Sequence, residues 1–267
     1  MTNPSLDADL AFALSLADSA DAITRERFRA LDLTVSLKSD RTHVTDADQA
    51  VERAVRDRIL SERPTDAILG EEFGSMGDSS RQWIIDPIDG TANFMRGVPV
   101  WSTLVALAVE GVPVLGVVSM PALGRRWWAA TGLGAHTRDV DGTERGIRVS
   151  DVAGLQDASI ALSGLDRFEQ AGQLDNYLDL TRRVWRSRDY SDALPYMFVA
   201  EGVVDAAGEF DLQPYDMAAL FPIIEEAGGT MTSFDGKPGP WHGSALASNT
   251  RLHSSLIDAF AHPQEQP

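Results

Sequence analysis

The chain has 267 residues, 43% of them hydrophobic, so it can bury a large core, and its length suits one large domain or two intimate subdomains. Its 40 Asp and Glu against 23 Lys and Arg leave a formal charge of −17, which argues against nucleic acid as a partner, because phosphate backbones demand a basic surface. The absence of cysteine excludes a disulfide frame, a thiolate nucleophile and a zinc–thiolate cluster; Met1 to Leu6 is not a signal peptide and no apolar run approaches the roughly 20 residues that span a bilayer, so a cytoplasmic protein with no membrane partner is expected.

In chain order, Leu6, Leu10, Ala13, Leu14, Ala17 and Ala20 recur at helical spacing, and a second helix is predicted from about Asp46 to Leu60 with Val51, Val55 and Ile59 on one side. Ile68-Leu69-Gly70-Glu71-Glu72 reads as a short strand ending in a carboxylate pair. Trp83 to Ile85 reads as a buried strand, and Pro87, which cannot donate to a ladder, should end it at Asp86. Ser102 to Ser119, punctuated by Gly111, Pro113 and Gly116, predicts an antiparallel meander extended by Trp127 to Ala130 and Ile147 to Ser150. The second half alternates. Strands are predicted at Ile160 to Leu162, Val203 to Ala206, Thr230 to Thr232 and Leu246 to Ala247, and helices near Leu174 to Val184, Ala193 to Glu201, Met217 to Ala227 and Leu252 to Phe260.

The run Asp86-Pro87-Ile88-Asp89-Gly90-Thr91-Ala92-Asn93-Phe94 carries the chemistry. Two carboxylates precede a glycine that lets backbone approach a ligand, and Thr91 to Phe94 can open a helix whose free N–H groups face an anion. Carboxylates beside such a helix start need a cation, and hard oxygen ligands completed by phosphate suit Mg²⁺. The same run also reads as a strand-to-helix turn with an Asp cap. Glu71-Glu72 reads as a solvated loop or a ligand pair, and Asp216, before Leu220, Ile223 and Ile224, as a helix N-cap or a ligand. His43, His136, His242, His253 and His262 show no metal-pair spacing, which speaks against a Ser-His-Asp mechanism.

Gly70-Glu71-Glu72, Asp86-Pro87-Ile88-Asp89-Gly90-Thr91 and Tyr215-Asp216-Met217-Ala218-Ala219, with Lys38 and Val44-Thr45-Asp46-Ala47-Asp48 upstream, resemble the inositol monophosphatase family of Mg²⁺-dependent, lithium-sensitive phosphomonoesterases. The resemblance spans nearly the whole chain. It implies an α/β (α+β) fold, the layered αβαβα sandwich of the inositol monophosphatase and fructose-bisphosphatase type. It also implies a single domain over 1–267, with an α+β part at about 1–150 and an α/β part at about 151–267. Carried over residue by residue, Glu71, Asp86 and the carbonyl of Ile88 would hold one Mg²⁺, and Asp86, Asp89 and Asp216 a second, with a looser third ion near Glu71. Thr91 and Asp48, with Glu71, would serve the attacking water, and the N–H groups of Gly90 and Thr91 the phosphate. The family resemblance further implies a homodimer, for which Ser102 to Ala130, with Trp127-Trp128, is the expected contact.

The resemblance also implies that Arg188, Asp192 and Glu209, beside Asp89 and Asp216, line the leaving-group end, where two added carboxylates would favour a cationic leaving group. Pro121-Ala122-Leu123-Gly124-Arg125-Arg126-Trp127-Trp128-Ala129-Ala130 is similar to the actinobacterial histidinol-phosphate phosphatase branch, which implies a small phosphorylated metabolite and a place in histidine biosynthesis. Ser191, Ala193-Leu194-Pro195 and Phe210 depart from that branch. An inositol, sugar or nucleotide phosphatase of the same family is the alternative; a non-catalytic regulatory protein conflicts with the intact acidic set.

Overall fold

The structure, a computed structural model, describes residues 5–38 and 42–261. In chain order the elements are α1 (Leu6–Arg27), β1 (Val35–Leu37), β2 (His43–Thr45), α2 (Asp46–Glu62), β3 (Ala67–Gly70), β4 (Gly74–Met76), β5 (Arg81–Asp89), α3 (Thr91–Arg96), β6 (Ser102–Val109), β7 (Val112–Met120), β8 (Arg125–Ala130), β9 (Gly134–Arg138) and β10 (Glu144–Gly146). There follow β11 (Ser159–Leu162), α4 (Leu165–Gln170), α5 (Leu174–Arg183), β12 (Arg186–Ser187), α6 (Leu194–Ala200), β13 (Ala206–Phe210), α7 (Pro214–Met217), α8 (Leu220–Glu226), β14 (Gly229–Thr232), β15 (Ser244–Asn249) and α9 (His253–Ala261).

Strand alternation builds the layers. In the sheet ordered β10-β9-β8-β7-β6-β5-β3-β4, Trp83, Ile85, Val105 and Leu107 face one side, where they pack on Phe12, Leu16, Val51, Val55 and Ile59 of α1 and α2. Ile84, Leu104 and Ala106 face the other side, against α6 and α8. Those helices are covered in turn by Ala207, Met231 and Ala247 of the second sheet, ordered β12-β11-β13-β15-β14. Phe168, Leu180, Leu256 and Phe260 of α4, α5 and α9 close its far face. The result is the αβαβα sandwich expected. Among the described residues no helix is long and apolar enough to cross a membrane.

Several expectations are corrected. β5 does not stop at Asp86. It continues to Asp89 through a register shift between Asp86↔Leu104 and Asp89↔Ser102; Pro87 sits in that bulge, where its missing N–H is not needed, and its carbonyl accepts from Thr103 Oγ1 at 2.8 Å. Ile147 to Ser150 is not a strand: Ile147 N still donates to Ala135, but Val149 N turns to the Ala227 carbonyl at the end of α8. Val203 to Asp205 form a turn because the N–H groups of Val203 and Val204 return to the Phe198 carbonyl, so β13 begins only at Ala206. The helix predicted over Met217 to Ala227 is split into α7 and α8, because Pro222 has no N–H to give to the carbonyl four residues back. Trp127 is buried within the chain, its Nε1 on Glu201, and Trp128 stacks on His136, so Trp127 offers no surface to a second subunit.

Candidate active site

β3 runs parallel to β5 with Gly70 opposite Ile85, which brings Glu71 beside the Asp86 bulge, and Glu71 N donates to Ile85 O at 3.3 Å. Gly70 is required by a close approach. A Cβ there would stand 2.0 Å from Glu52 Oε1, and Glu52, buried on α2 and paired with Arg56 at 2.8 Å, accepts from the N–H groups of Glu72 (2.7 Å) and Phe73 (3.1 Å). The Gly-Glu-Glu turn is therefore folded around a buried carboxylate. Gly90 adopts φ 82°, and a Cβ there would meet Asp192 Oδ2 at 2.8 Å. Asp216 reaches the same place from α7. It is the third helical residue rather than the N-cap, and its Oδ2 accepts from Gln213 N at 2.7 Å.

These carboxyls crowd one another. Burial lifts Asp86 well above the usual carboxylate range, and Glu71, Asp89, Asp216 and Asp48 add to the rise; burial followed by Asp192 and Asp216 does the same to Asp89. Asp216 is pushed up to about 7, by burial first and then Glu71, although the Gln213 N–H pulls it down. Asp86 Oδ1 is buried without a hydrogen-bond partner. A cation would supply what that oxygen lacks and let the cluster ionise, so the donor set fits a hard divalent metal. Among the described residues no three such side chains already form a closed cage, and Lys38 Nζ stands 2.8 Å from Glu71 and 2.7 Å from Glu72. The set is open, as suits an ion that completes its shell with water and substrate oxygen.

Asp48 is the third residue of α2, with Thr45 N donating to its Oδ2 at 2.8 Å. Its Oδ1 lies 3.2 Å from Thr91 Oγ1, which is also 3.0 Å from the carbonyl of Ile88. Burial pushes Asp48 up to about 6 against the pull of Thr45. A carboxyl poised there can take a proton near neutrality.

Asp89, Gly90, Thr91, Asp192, Glu209 and Asp216 line one cavity of about 300 Å³, and a neighbouring one of about 660 Å³ carries Lys38, Glu71 and Tyr215; Asp216 and Arg167 border both. Asp192 Oδ2 accepts from Asn93 Nδ2 and Ser191 Oγ, each at 2.7 Å. Ser191 and Asp192 both have positive φ, 69° and 49°, which is why glycine suits the first position. Glu209 is pushed up to about 8 by burial first, then by Asp192 and Asp216.

Arg188 is not among the lining residues: its Nη1 donates to the Ser187 carbonyl at 2.6 Å, beyond the end of β12. Arg167 of α4, paired with Asp211, lines the cavity instead, and so does Tyr196 of α6. Neither was singled out by the sequence; a cation two residues after Leu165 and a tyrosine amid apolar residues carry no spacing signal. His43, His136, His242 and His253 line neither cavity, and His262 lies outside the described residues.

Buried carboxylates around an unsatisfied oxygen, a hydroxyl tied to a proton acceptor and an open cavity beside them define a divalent-metal phosphatase. The chain belongs to the inositol monophosphatase family, whose profile matches residues 5–265. It is similar to the histidinol-phosphatase of Streptomyces coelicolor, with 54% identity across 93% of this chain and 95% of that protein. It is likewise similar to the histidinol-phosphatase of Mycobacterium tuberculosis, with 53% identity across 93% and 96%. Among solved structures, the extragenic suppressor protein suhB of Bartonella henselae superposes with a TM-score of 0.86, at 30% identity, covering 95% of this chain and 98% of that one.

Proposed function

We propose that the chain is a histidinol-phosphatase, hydrolysing L-histidinol phosphate to L-histidinol and phosphate in histidine biosynthesis. The observation that carries the substrate is the carboxyl pair Asp192 and Glu209, facing the same cavity as Asp89 and Thr91. Histidinol offers an ammonium and an imidazole, both of which such a pair attracts, whereas inositol offers only hydroxyls. The relatives that share more than half of their residues with this chain carry that activity in their names. Burial, Asp192 and Asp216 hold the Glu209 carboxyl high in the unliganded chain, and a cation entering the cavity would offset them and draw its proton.

The metal is proposed to be Mg²⁺, two or three ions per subunit: Glu71, Asp86 and the Ile88 carbonyl for one, Asp86, Asp89 and Asp216 for another, and Glu71 for the third. When bound, the ions neutralise phosphate oxygens and the developing charge of the leaving alkoxide. The protein does the rest. Thr91 Oγ1 accepts a hydrogen from the attacking water while its own proton faces Asp48 Oδ1, so that carboxyl is the sink for the water's proton. The Ile88 carbonyl, 3.0 Å from the same hydroxyl, is the alternative acceptor for its single proton. The N–H groups of Gly90 and Thr91 receive the phosphate, and Gly90's left-handed backbone lets them approach it. Glu52 fixes Glu71 by gripping the backbone of the following residues. A homodimer in the cytoplasm, acting on a small phosphorylated metabolite without nucleic acid or membrane, completes the proposal.

The test is phosphate release from L-histidinol phosphate beside inositol 1-phosphate, with growth rescue of a histidine auxotroph lacking this step. Preference for the first substrate together with rescue is expected; preference for inositol phosphate without rescue would reject the substrate while keeping the phosphatase.

A further inference from the structure

α6 starts one residue after the left-handed pair Ser191–Asp192, and its third residue, Tyr196, is 3% exposed. Its ring packs in the central core, yet its hydroxyl has no hydrogen-bond partner and the residue lines the cavity of Asp89, Asp192 and Glu209. Buried polar atoms are almost always paired, and a packing role alone would be served better by phenylalanine, which hides no hydroxyl. Neighbouring polar side chains have protein partners: Arg167 pairs with Asp211, Thr91 lies within reach of Asp48 and the Ile88 carbonyl, and Asn93 donates to Asp192. Burial, with Glu209, Asp89 and Asp216 nearby, raises the phenol well above its ordinary value, so it keeps its proton.

We propose that the Tyr196 hydroxyl is a specificity-determining donor that hydrogen-bonds an acceptor atom of the leaving group, the unprotonated ring nitrogen of an imidazole-bearing alcohol. This rests on the histidinol phosphate reading. Once the incoming ammonium ionises them, Asp192 and Glu209 can only accept, so they take the ammonium and the ring N–H, and a neutral imidazole would still carry one unpaired acceptor. Tyr196 supplies the complementary proton, and the substrate in turn satisfies a hydroxyl that the protein leaves alone.

The experiment compares full-length, Mg²⁺-loaded wild type and Tyr196→Phe on L-histidinol phosphate and on phenyl phosphate, whose leaving group has no ring nitrogen. The ratio of kcat/KM for the two substrates should fall at least about tenfold in the variant, while its melting temperature stays equal or rises. An unchanged ratio, or a parallel fall for both substrates with a lowered melting temperature, would overturn the assignment. A wild type that does not prefer histidinol phosphate would fail differently, since it removes the substrate reading itself and this proposal with it.

Discussion

The two sides of the site are built by different means. At the end proposed for metal, Glu71, Asp86, Asp89 and Asp216 come from the rim of one sheet and the first turn of α7, each anchored by backbone: Gly70 wrapped on Glu52, the bulge at Pro87, the cap on Gln213. At the leaving-group end, Asp192 hangs on two consecutive left-handed residues, Glu209 projects from β13 of the second sheet, and Tyr196 keeps an unpaired hydroxyl. On the proposed assignments, reaction class would be tied to carboxylates held by backbone geometry, and substrate choice would rest on a few replaceable side chains around the pocket. Relatives in the family can then share chemistry while differing in what they cleave.

The sharpest way to break this contrast is Asp86→Asn. The buried, partnerless oxygen would lose the charge that both proposed ions share, and turnover should drop about a thousandfold or more in steady-state assays with saturating Mg²⁺. Retained activity in chelator would end the metal assignment. Thr91→Ala comes next, with a loss of roughly a hundredfold in kcat and little change in calorimetric Mg²⁺ affinity, because the hydroxyl faces Asp48 and the Ile88 carbonyl. If metal affinity fell in step with rate, Thr91 would belong to the ligand set.

At the other end, Asp192→Asn and Glu209→Gln should each lower the kcat/KM ratio of histidinol phosphate to phenyl phosphate by about ten- to hundredfold, the value of one charge-assisted hydrogen bond. A uniform fall would mean that the two ends are not separable. The smallest effect concerns pH. Glu209 holds its proton in the folded chain up to about 8 but loses it near the ordinary carboxylate value when unfolded. Between those values the folded state binds more protons, so this group's contribution is intact in acid and is lost as pH rises to about 8. Denaturant unfolding in chelator should therefore show Glu209→Gln gaining roughly 1–3 kcal/mol on wild type from pH 5 to 8.5. A pH-independent difference would place Glu209 in water.

The sequence by itself determined the sheet core and the acidic set, because both are local: alternating apolar strands and helical spacing specify burial, and Gly70-Glu71-Glu72 and Asp86 to Thr91 are short runs whose chemistry follows from neighbours along the chain. It was misleading wherever a rule about one residue was overridden by the ladder beside it. Pro87 ended the predicted strand, but the partner β6 shifted register and carried β5 on to Asp89. Trp127-Trp128 suggested a surface, but Glu201, just past the end of α6, claimed the indole of Trp127. Only the tertiary structure decided which distant residues meet in the site, since Asn93 and Asp192 are 99 positions apart, and Thr91 and Asp48 are 43 apart, yet each pair meets. Arg188 was expected at the leaving group from the family resemblance of its segment, and the fold put Arg167 at the cavity in its stead. Packing two sheets around α6 and α8 is what joins these segments, and no spacing along the chain records which side chains that packing leaves without a partner.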